Sequence, residues 1–438
     1  MSAEPLAVHI AGRYAGEIDR IGNRLRLAYD ADYAVSASAV PLSLSLPLDR
    51  EVIVGAEVAG WLDGLLPGNE RVRRRWAARH DARSPSSFDL LSTPIGLDCP
   101  GAVRTCPRSE AQHLASRPGG VDWLTEAEFG ELVVEIVRDQ AWERSGGRGA
   151  YSLAGAQAKT ALCRRGDRWG EPWGTTASTH ILKPSMRDLA DQAINEHLCL
   201  AAARHCGLVA ARTEALRVGP YSVVAVERYD RVATSGGAVA RVHQEDLHQA
   251  CGKPDQPIYQ DEHGGGHSVA RLAGLLADHS IDRDADRARF FDALAFNWIV
   301  CNTDAHAKNY SLLIGPRGVA RLAPLYDIWS YMPYDPDYIR SHTMAMSALS
   351  DRRILAAENP DAWRAAARAA GLDADDGPER AAHLARLIPP AFVRAVDELP
   401  ARLRTSPIVA DLTGQMSARG THCLTALAAR HPEHTVPF

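Results

Sequence analysis

Lysine is nearly missing from this 438-residue chain: among 49 basic residues only four are lysines, at positions 159, 183, 253 and 308. Arginine therefore serves as the generic surface cation, and lysine is kept where a compact ammonium is needed and a planar fork will not serve. Long apolar runs are also missing. None reaches the roughly 18 uninterrupted residues of a membrane helix, and the start MSAEPLAVHIAGRYAGE has neither the basic nor the apolar region of an export signal. A cytoplasmic protein with no membrane partner is expected. The net charge of −5 excludes a whole-chain basic field for nucleic acid. The eight cysteines are scattered, with no C-x-x-C and no zinc spacing, so reduced thiols are expected. Internal repeats are absent, and low complexity is confined to Gly264-Gly265-Gly266.

What remains has the composition of an ordinary globular protein, 46% hydrophobic and 24% charged, long enough for about three structural units at ~150 residues each. The first stretch is β-rich. VHI, Arg13–Ile18 and Arg24–Tyr29 alternate as short strands around Gly12 and Gly22-Asn23, and PLSLSLPL (Pro41–Leu48) reads as a half-buried strand. Helices are predicted over Val54–Leu66 and Glu70–Arg79. The second carries a basic cluster, Arg71 to Arg79, that suits either a solvated face or a partner surface. After a Pro/Gly-punctuated boundary at 94–122, helices are predicted over Glu126–Asp139 and Asp188–Cys206, the latter capped by Gly207. Strands are predicted over Ser178–Lys183 and Tyr221–Glu227. Helices follow over Val269–Asp278 and Arg287–Val300, then a strand pair at 310–322 and Ala/Arg/Leu-rich helices. A β-rich first half before a helical second half predicts two lobes in an α+β fold.

The candidate chemistry centres on Asn302-Thr303-Asp304-Ala305-His306-Ala307-Lys308-Asn309. Asp304 and Asn309 have the D-x-x-x-x-N spacing of a phosphoryl-transfer loop, in which a carboxylate accepts the attacking hydroxyl's proton and an amide oxygen helps hold Mg²⁺. Lys308 would place positive charge near the transferring group. Eighteen residues on, Leu325-Tyr326-Asp327-Ile328 puts an aspartate behind a strand, where a second metal ligand belongs. Upstream, Ser152 to Lys159 is a small-residue loop whose backbone N–H groups could approach phosphates, although it matches no generic nucleotide motif. Lys183 ends a strand after that loop, the arrangement for gripping α/β-phosphates. Glu196 in the next helix is its candidate partner. Each piece alone also fits a polar turn or a helix-surface carboxylate.

Taken together, Ser152–Lys159 with TAL, THILKP, VVAVERYDR, Gln244-Glu245-Asp246, TDAHAKNYSLLI and LAPLYDI resemble the HipA-type toxin kinases of bacterial type II toxin–antitoxin modules. The resemblance covers almost the whole chain. It implies a two-lobed, protein-kinase-like α+β fold, with a β-rich N-terminal subdomain (1–110), an N-lobe with ATP loop and hinge (111–229) and a helical C-lobe (230–438). It implies a Ser/Thr protein kinase using ATP and Mg²⁺, with an HTH-type, HipB-like antitoxin as partner and, through it, operator DNA. Characterised members phosphorylate aminoacyl-tRNA synthetases.

Carried over by motif, Asp304 is the proton acceptor, with Lys183 and Lys308 catalytic beside it, and Asn309 and Asp327 hold the metal. Nucleotide binding falls to Ala154, Gly155, Ala156, Gln157, Ala158, Lys159 and Lys183, to the hinge Glu227, Arg228 and Tyr229, and to His306, Ala307, Lys308, Asn309, Tyr326 and Asp327. Ser152 matches the inhibitory autophosphorylation site. Ala158 departs from the family loop, where a Glu is expected. Gly252–Gly266 is where a substrate-facing segment belongs, with no residue assignable. A small-molecule kinase of the same fold, or a co-repressor module for an HTH antitoxin, would be the competing functions.

Overall fold

The structure is a computed structural model that describes residues 4–140, 142–260, 266–335, 341–348 and 353–428. It divides into two compact units: Met1–Ala193 with Ala211–Gln256 and Ser311–Pro324, and Ile194–Ala210 with Pro257–Tyr310 and Leu325–Phe438. Mixed helix and sheet make an α+β fold, and among the described residues the strands belong to the first unit.

The first unit opens with a five-stranded antiparallel sheet, ordered β4-β3-β2-β1-β5. Its strands are β1 (Leu6–Ile10), β2 (Arg13–Ile21), β3 (Arg24–Tyr29), β4 (Val52–Val54) and β5 (Val103–Pro107). The alternation read in the sequence has a direct cause. Leu6, Val8 and Ile10 face the main core, while Ala7 faces a smaller one with Leu97 and Cys106. Gly22 makes the β2–β3 turn at φ +63°, a left-handed conformation that suits glycine.

Pro41–Leu48 is a correction, for it is not a strand. Ser43 and Leu46 form only an isolated bridge, Leu46 N–H donates to Ser43 C=O, and Ser45 N–H donates to the Ser43 hydroxyl. Two prolines without donors and serines that bond their own backbone favour a turn over a ladder. Leu42 and Leu46 are fully buried all the same, so the alternation marks burial rather than strand pairing.

A six-stranded antiparallel sheet follows, ordered β10-β11-β9-β7-β8-β6. It comprises β6 (Gly119–Trp123), β7 (Thr160–Arg165), β8 (Arg168–Gly174), β9 (His180–Pro184), β10 (Thr213–Val218) and β11 (Tyr221–Glu227). The predicted helix Glu126–Asp139 forms with those ends. Thr125 and Glu128 cap it reciprocally, and Leu132, Val133 and Ile136 are buried at helical spacing. The residues after β11 make a two-stranded ribbon, β12 (Arg231–Ala233) and β13 (Val239–Arg241). The predicted strand pair at 310–322 is present as β15 (Ser311–Ile314) and β16 (Ala320–Leu322), with β14 (Gln244–Asp246) added against β15.

The second unit is helical: Val269–His279, Arg283–Ile299, Pro360–Ala370, Asp376–Glu398 and Pro407–Ala428. Phe291 and Trp298 both meet Trp363 at 5.6 and 5.0 Å between ring centroids, tying the second of these helices to the third. The helix predicted from Asp188 begins only at Gln192, because Asp191 adopts φ +54° and cannot be helical; it ends at His205 with Gly207 left-handed, as expected. Of the Gly264–Gly266 tract, only Gly266 is among the described residues.

Candidate functional site

In the first unit the loop from Ser152 to Lys159 is held at both ends. Ser152 is fully buried: its N–H donates to Asp98 C=O at 2.9 Å and its hydroxyl donates to Leu65 C=O. Lys159 Nζ donates to Ala154 C=O at 3.1 Å and lies 5.6 Å from the Trp142 ring centroid. Gln157 Nε2 donates to the carbonyl of Pro184, beside Lys183, at 3.0 Å. Gly155 sits between these anchors at φ +102°, where a Cβ would meet Lys159 Nζ at 2.5 Å. Gly155 and Ala156 are the exposed tip, and Gly155 forms an isolated parallel bridge with Pro67. Ala158 points the other way, into the core. Lys183 is buried in the interior strand β9.

The basic cluster at 71–79 is largely taken up within this unit. Arg73 pairs with Asp63, Arg74 with Glu70 and Arg79 with Glu143, and Arg75 donates to Asp139 C=O. Arg79 also donates to the Gly147 carbonyl, five residues before Ser152.

The predicted hinge is built around a buried ion network that sequence reading missed. Glu227 is exposed, and its N–H and that of Arg228 donate to Arg212 C=O and Thr179 C=O. The Arg228 guanidinium forks onto Asp230 at 3.0 and 2.8 Å. Arg231 bridges Asp230 and Asp98 at 2.9 and 3.0 Å, and Arg241 reaches Asp98 at 3.2 Å. Burial alone would raise the Asp230 carboxyl, but Arg228 and Arg231 hold it well below the usual range. Tyr229 is half-buried and donates to Gln244 Oε1 at 2.8 Å. Two arginines one and four residues past a strand carry no motif, and Asp98 lies 133 residues from Arg231.

In the second unit the helix Arg283–Ile299 ends against a residue in an unusual conformation, Cys301 at φ +55°. The turn that follows is tied down by asparagines. Asn302 donates to Asn297 Oδ1, and Asn297 donates to the Tyr310 hydroxyl, each at 2.9 Å. Within the turn His306 N–H donates to Asp304 C=O at 2.7 Å, and Asn309 Nδ2 donates to the same carbonyl at 3.0 Å. Ala307, Lys308 and Asn309 form a single 3₁₀ turn. Asp304 and Asn309 are thus brought together as their spacing predicts.

Asp327 is also left-handed, at φ +58°. Leu325 N–H donates to Val209 C=O, and Ser330 exchanges two hydrogen bonds with the Asn195 side chain, so the segment is fixed on both sides of Asp327. Tyr326 donates to Lys308 C=O at 2.6 Å, linking this segment to the Asp304 turn. Glu196 is fully buried in the helix Gln192–His205.

Burial raises the Asp304 carboxyl; a hydrogen bond from Tyr259 and the nearby His306 oppose the rise, and Asp327 adds to it. Burial, with Asp304 and Asp327 nearby, pushes the Tyr331 phenol up to about 12. Among the described residues no three His, Cys, Asp or Glu side chains form a metal cage. One carboxylate and one amide oxygen is instead the donor set of Mg²⁺ bound together with phosphates. Asn309 fits it, because the bond from its Nδ2 to the Asp304 carbonyl fixes which end of the amide is the oxygen donor.

Residues 6–106 match the HipA N-terminal domain, and residues 151–393 match the HipA-like C-terminal domain. The chain belongs to the HipA family. It is 31% identical to Y4mE of Sinorhizobium fredii over 436 residues, 98% of each chain. It is 28% identical to the serine/threonine-protein kinase toxin HipA of Shewanella oneidensis over 355 residues, 78% of each. The HipA fold is matched across the chain by the structure of the Shewanella oneidensis HipA, HipB and operator DNA complex, with a TM-score of 0.77, 24% identity and 96% of each chain covered. Among the described residues no helix is long and apolar enough to cross a membrane.

Asn297 and Asn302, which brace the turn, and Tyr259, which touches it from outside, were not legible in the sequence. Asn302 opens the motif, but its bond to Asn297 is set by the preceding helix. Tyr259 lies in the Gly252–Gly266 stretch, which is polar and without periodicity, so no single residue in it stands out.

Proposed function

We propose that this HipA-family chain is a serine/threonine protein kinase that transfers the γ-phosphate of ATP to a protein hydroxyl, as the toxin of a toxin–antitoxin module. The observation that carries the reading is the Asp304 turn. It holds a half-buried carboxylate that already accepts a hydroxyl proton donor, 2.7 Å from the Tyr259 oxygen, with Asn309 locked beneath it. Asp304 takes the proton of the acceptor hydroxyl. Asp327 and the Asn309 amide oxygen would hold Mg²⁺, which supplies charge neutralisation for the phosphates when bound. The 154–159 loop is assigned to the ATP phosphates on this reading, with Lys183 and Lys308 as the positive charge that would offset theirs.

Ser152 serves as an inhibitory self-phosphorylation site on this reading. Its buried hydroxyl cannot accept a phosphate in place, so modification requires the loop to leave its seat. The Shewanella oneidensis relative is seen with HipB and operator DNA, and an HTH-type antitoxin of that kind is the partner we assign here. An aminoacyl-tRNA synthetase is the acceptor expected from the family. The test is incubation of the chain with labelled ATP, Mg²⁺ and whole-cell lysate. Label entering protein in the wild type and not in Asp304→Asn supports the reading; label confined to small molecules overturns it.

A further inference from the structure

Tyr259 is placed where an acceptor hydroxyl would have to sit. Its O–H donates to Asp304 Oδ1 at 2.7 Å, the bond a nucleophile makes to its base before transfer. The ring stands edge-on to His306, with centroids 5.1 Å apart at 83°. The contact is built by the backbone. Gln260 N–H donates to Ala345 C=O at 3.1 Å, and Ala345 N–H donates to the carbonyl of Thr303, the residue before Asp304, at 2.8 Å. Ser347 N–H holds the Gln260 side chain at 3.0 Å. Gly266 packs on the Tyr259 backbone at φ +77°, where a Cβ would lie 2.3 Å from the Tyr259 carbonyl oxygen. Three segments distant in sequence therefore converge to put one phenol on one carboxylate. Yet Tyr259 is 45% exposed, so burial of the ring is not what holds it there.

We infer that Tyr259 is the internal competitor for the acceptor position, a residue that sets how strongly a protein hydroxyl must bind to reach Asp304. The inference rests on Asp304 being the base. An incoming serine or threonine must displace the phenol, and only acceptors that bind the surrounding surface well enough to do so are modified. Tyr259 thereby selects on the acceptor side alone and leaves the nucleotide side untouched.

Tyr259→Phe keeps the ring against His306 and deletes the competing hydroxyl. With dephosphorylated casein as the probe acceptor, its KM should fall roughly three- to tenfold, the factor expected for one typical hydrogen bond in exchange with water. kcat and the KM for ATP should stay within about twofold of wild type. Gly266→Ala, which must push the Tyr259 peptide away, should lower the casein KM in the same direction should Tyr259→Phe fail to fold. An unchanged casein KM overturns the inference alone. So does a fall in kcat at constant KM, which would make the phenol a support for the base, or phosphate found on Tyr259 by mass spectrometry, which would make it an acceptor. No transfer to casein by any variant, wild type included, overturns the kinase reading and this inference with it.

Discussion

The Asn309 side-chain amide donates to the backbone carbonyl of Asp304 at 3.0 Å, so the candidate metal ligand and the candidate base are two ends of one closed turn. The base acts through its carboxylate and the turn closes through its carbonyl, and the two functions separate cleanly by mutation. Asp304→Asn keeps the carbonyl and the volume. Phosphoryl transfer should fall roughly 10²–10⁴-fold, the range for loss of a general base, while calorimetric Mg²⁺·ATP affinity stays near wild type. Near-normal transfer by Asp304→Asn would remove Asp304 from that role.

Asp327→Ala should act on binding instead. Its carboxylate is the one acidic oxygen donor assigned to the metal, and Mg²⁺ is held largely by such oxygens and phosphates. The Mg²⁺-dependent part of ATP affinity should vanish, leaving titrations with Mg²⁺ and with chelator superimposed. A persistent difference between the two titrations would place the metal elsewhere.

Ser152→Ala should fold and bind ATP, since it loses the hydroxyl bond to Leu65 C=O and adds no charge or bulk. Ser152→Asp, or the phosphorylated chain, brings charge into a fully buried position and should expel the loop and weaken ATP binding. Limited proteolysis between Gly147 and Lys159 reads the expulsion directly. Equal ATP affinity in phosphorylated and unphosphorylated protein would end the proposed switch.

Asp230→Ala removes the carboxylate shared by Arg228 and Arg231 and leaves two guanidiniums buried with one fewer counter-charge. A loss of roughly 3–5 kcal/mol in unfolding free energy is expected, the usual cost of breaking a buried pair. Denaturant melts check it, and a loss below about 1 kcal/mol would show that Asp98 suffices for all three arginines.

Glu245 supplies a pH dependence. Burial pushes its carboxyl up to about 8, against the pull of Leu44 N–H, which donates to it at 2.8 Å. Its unfolded value is about 4.3. Between those values the folded chain holds a proton that the unfolded chain has released. Raising the pH through that window therefore favours unfolding, and the stabilisation present below it is lost by about pH 8. Glu245→Gln should match wild type near pH 5 and melt higher than wild type near pH 8. Parallel melting curves across that range would show that Glu245 stays ionised.

The sequence by itself determined the strands β1–β3, the helices Glu126–Asp139 and Val269–His279, and the Asp304–Asn309 turn. Each is written in a local period or a short spacing, and the physics that selects it acts over a few residues. The same local reading misjudged Pro41–Leu48, where alternation served burial while prolines and serines closed a turn. Tertiary structure alone decided the rest. Tyr259 and Asp304 are 45 residues apart, and Asp98 and Arg231 are 133 apart. A carboxylate chooses its partner by distance and by what else is buried beside it, and neither quantity exists until the chain has folded.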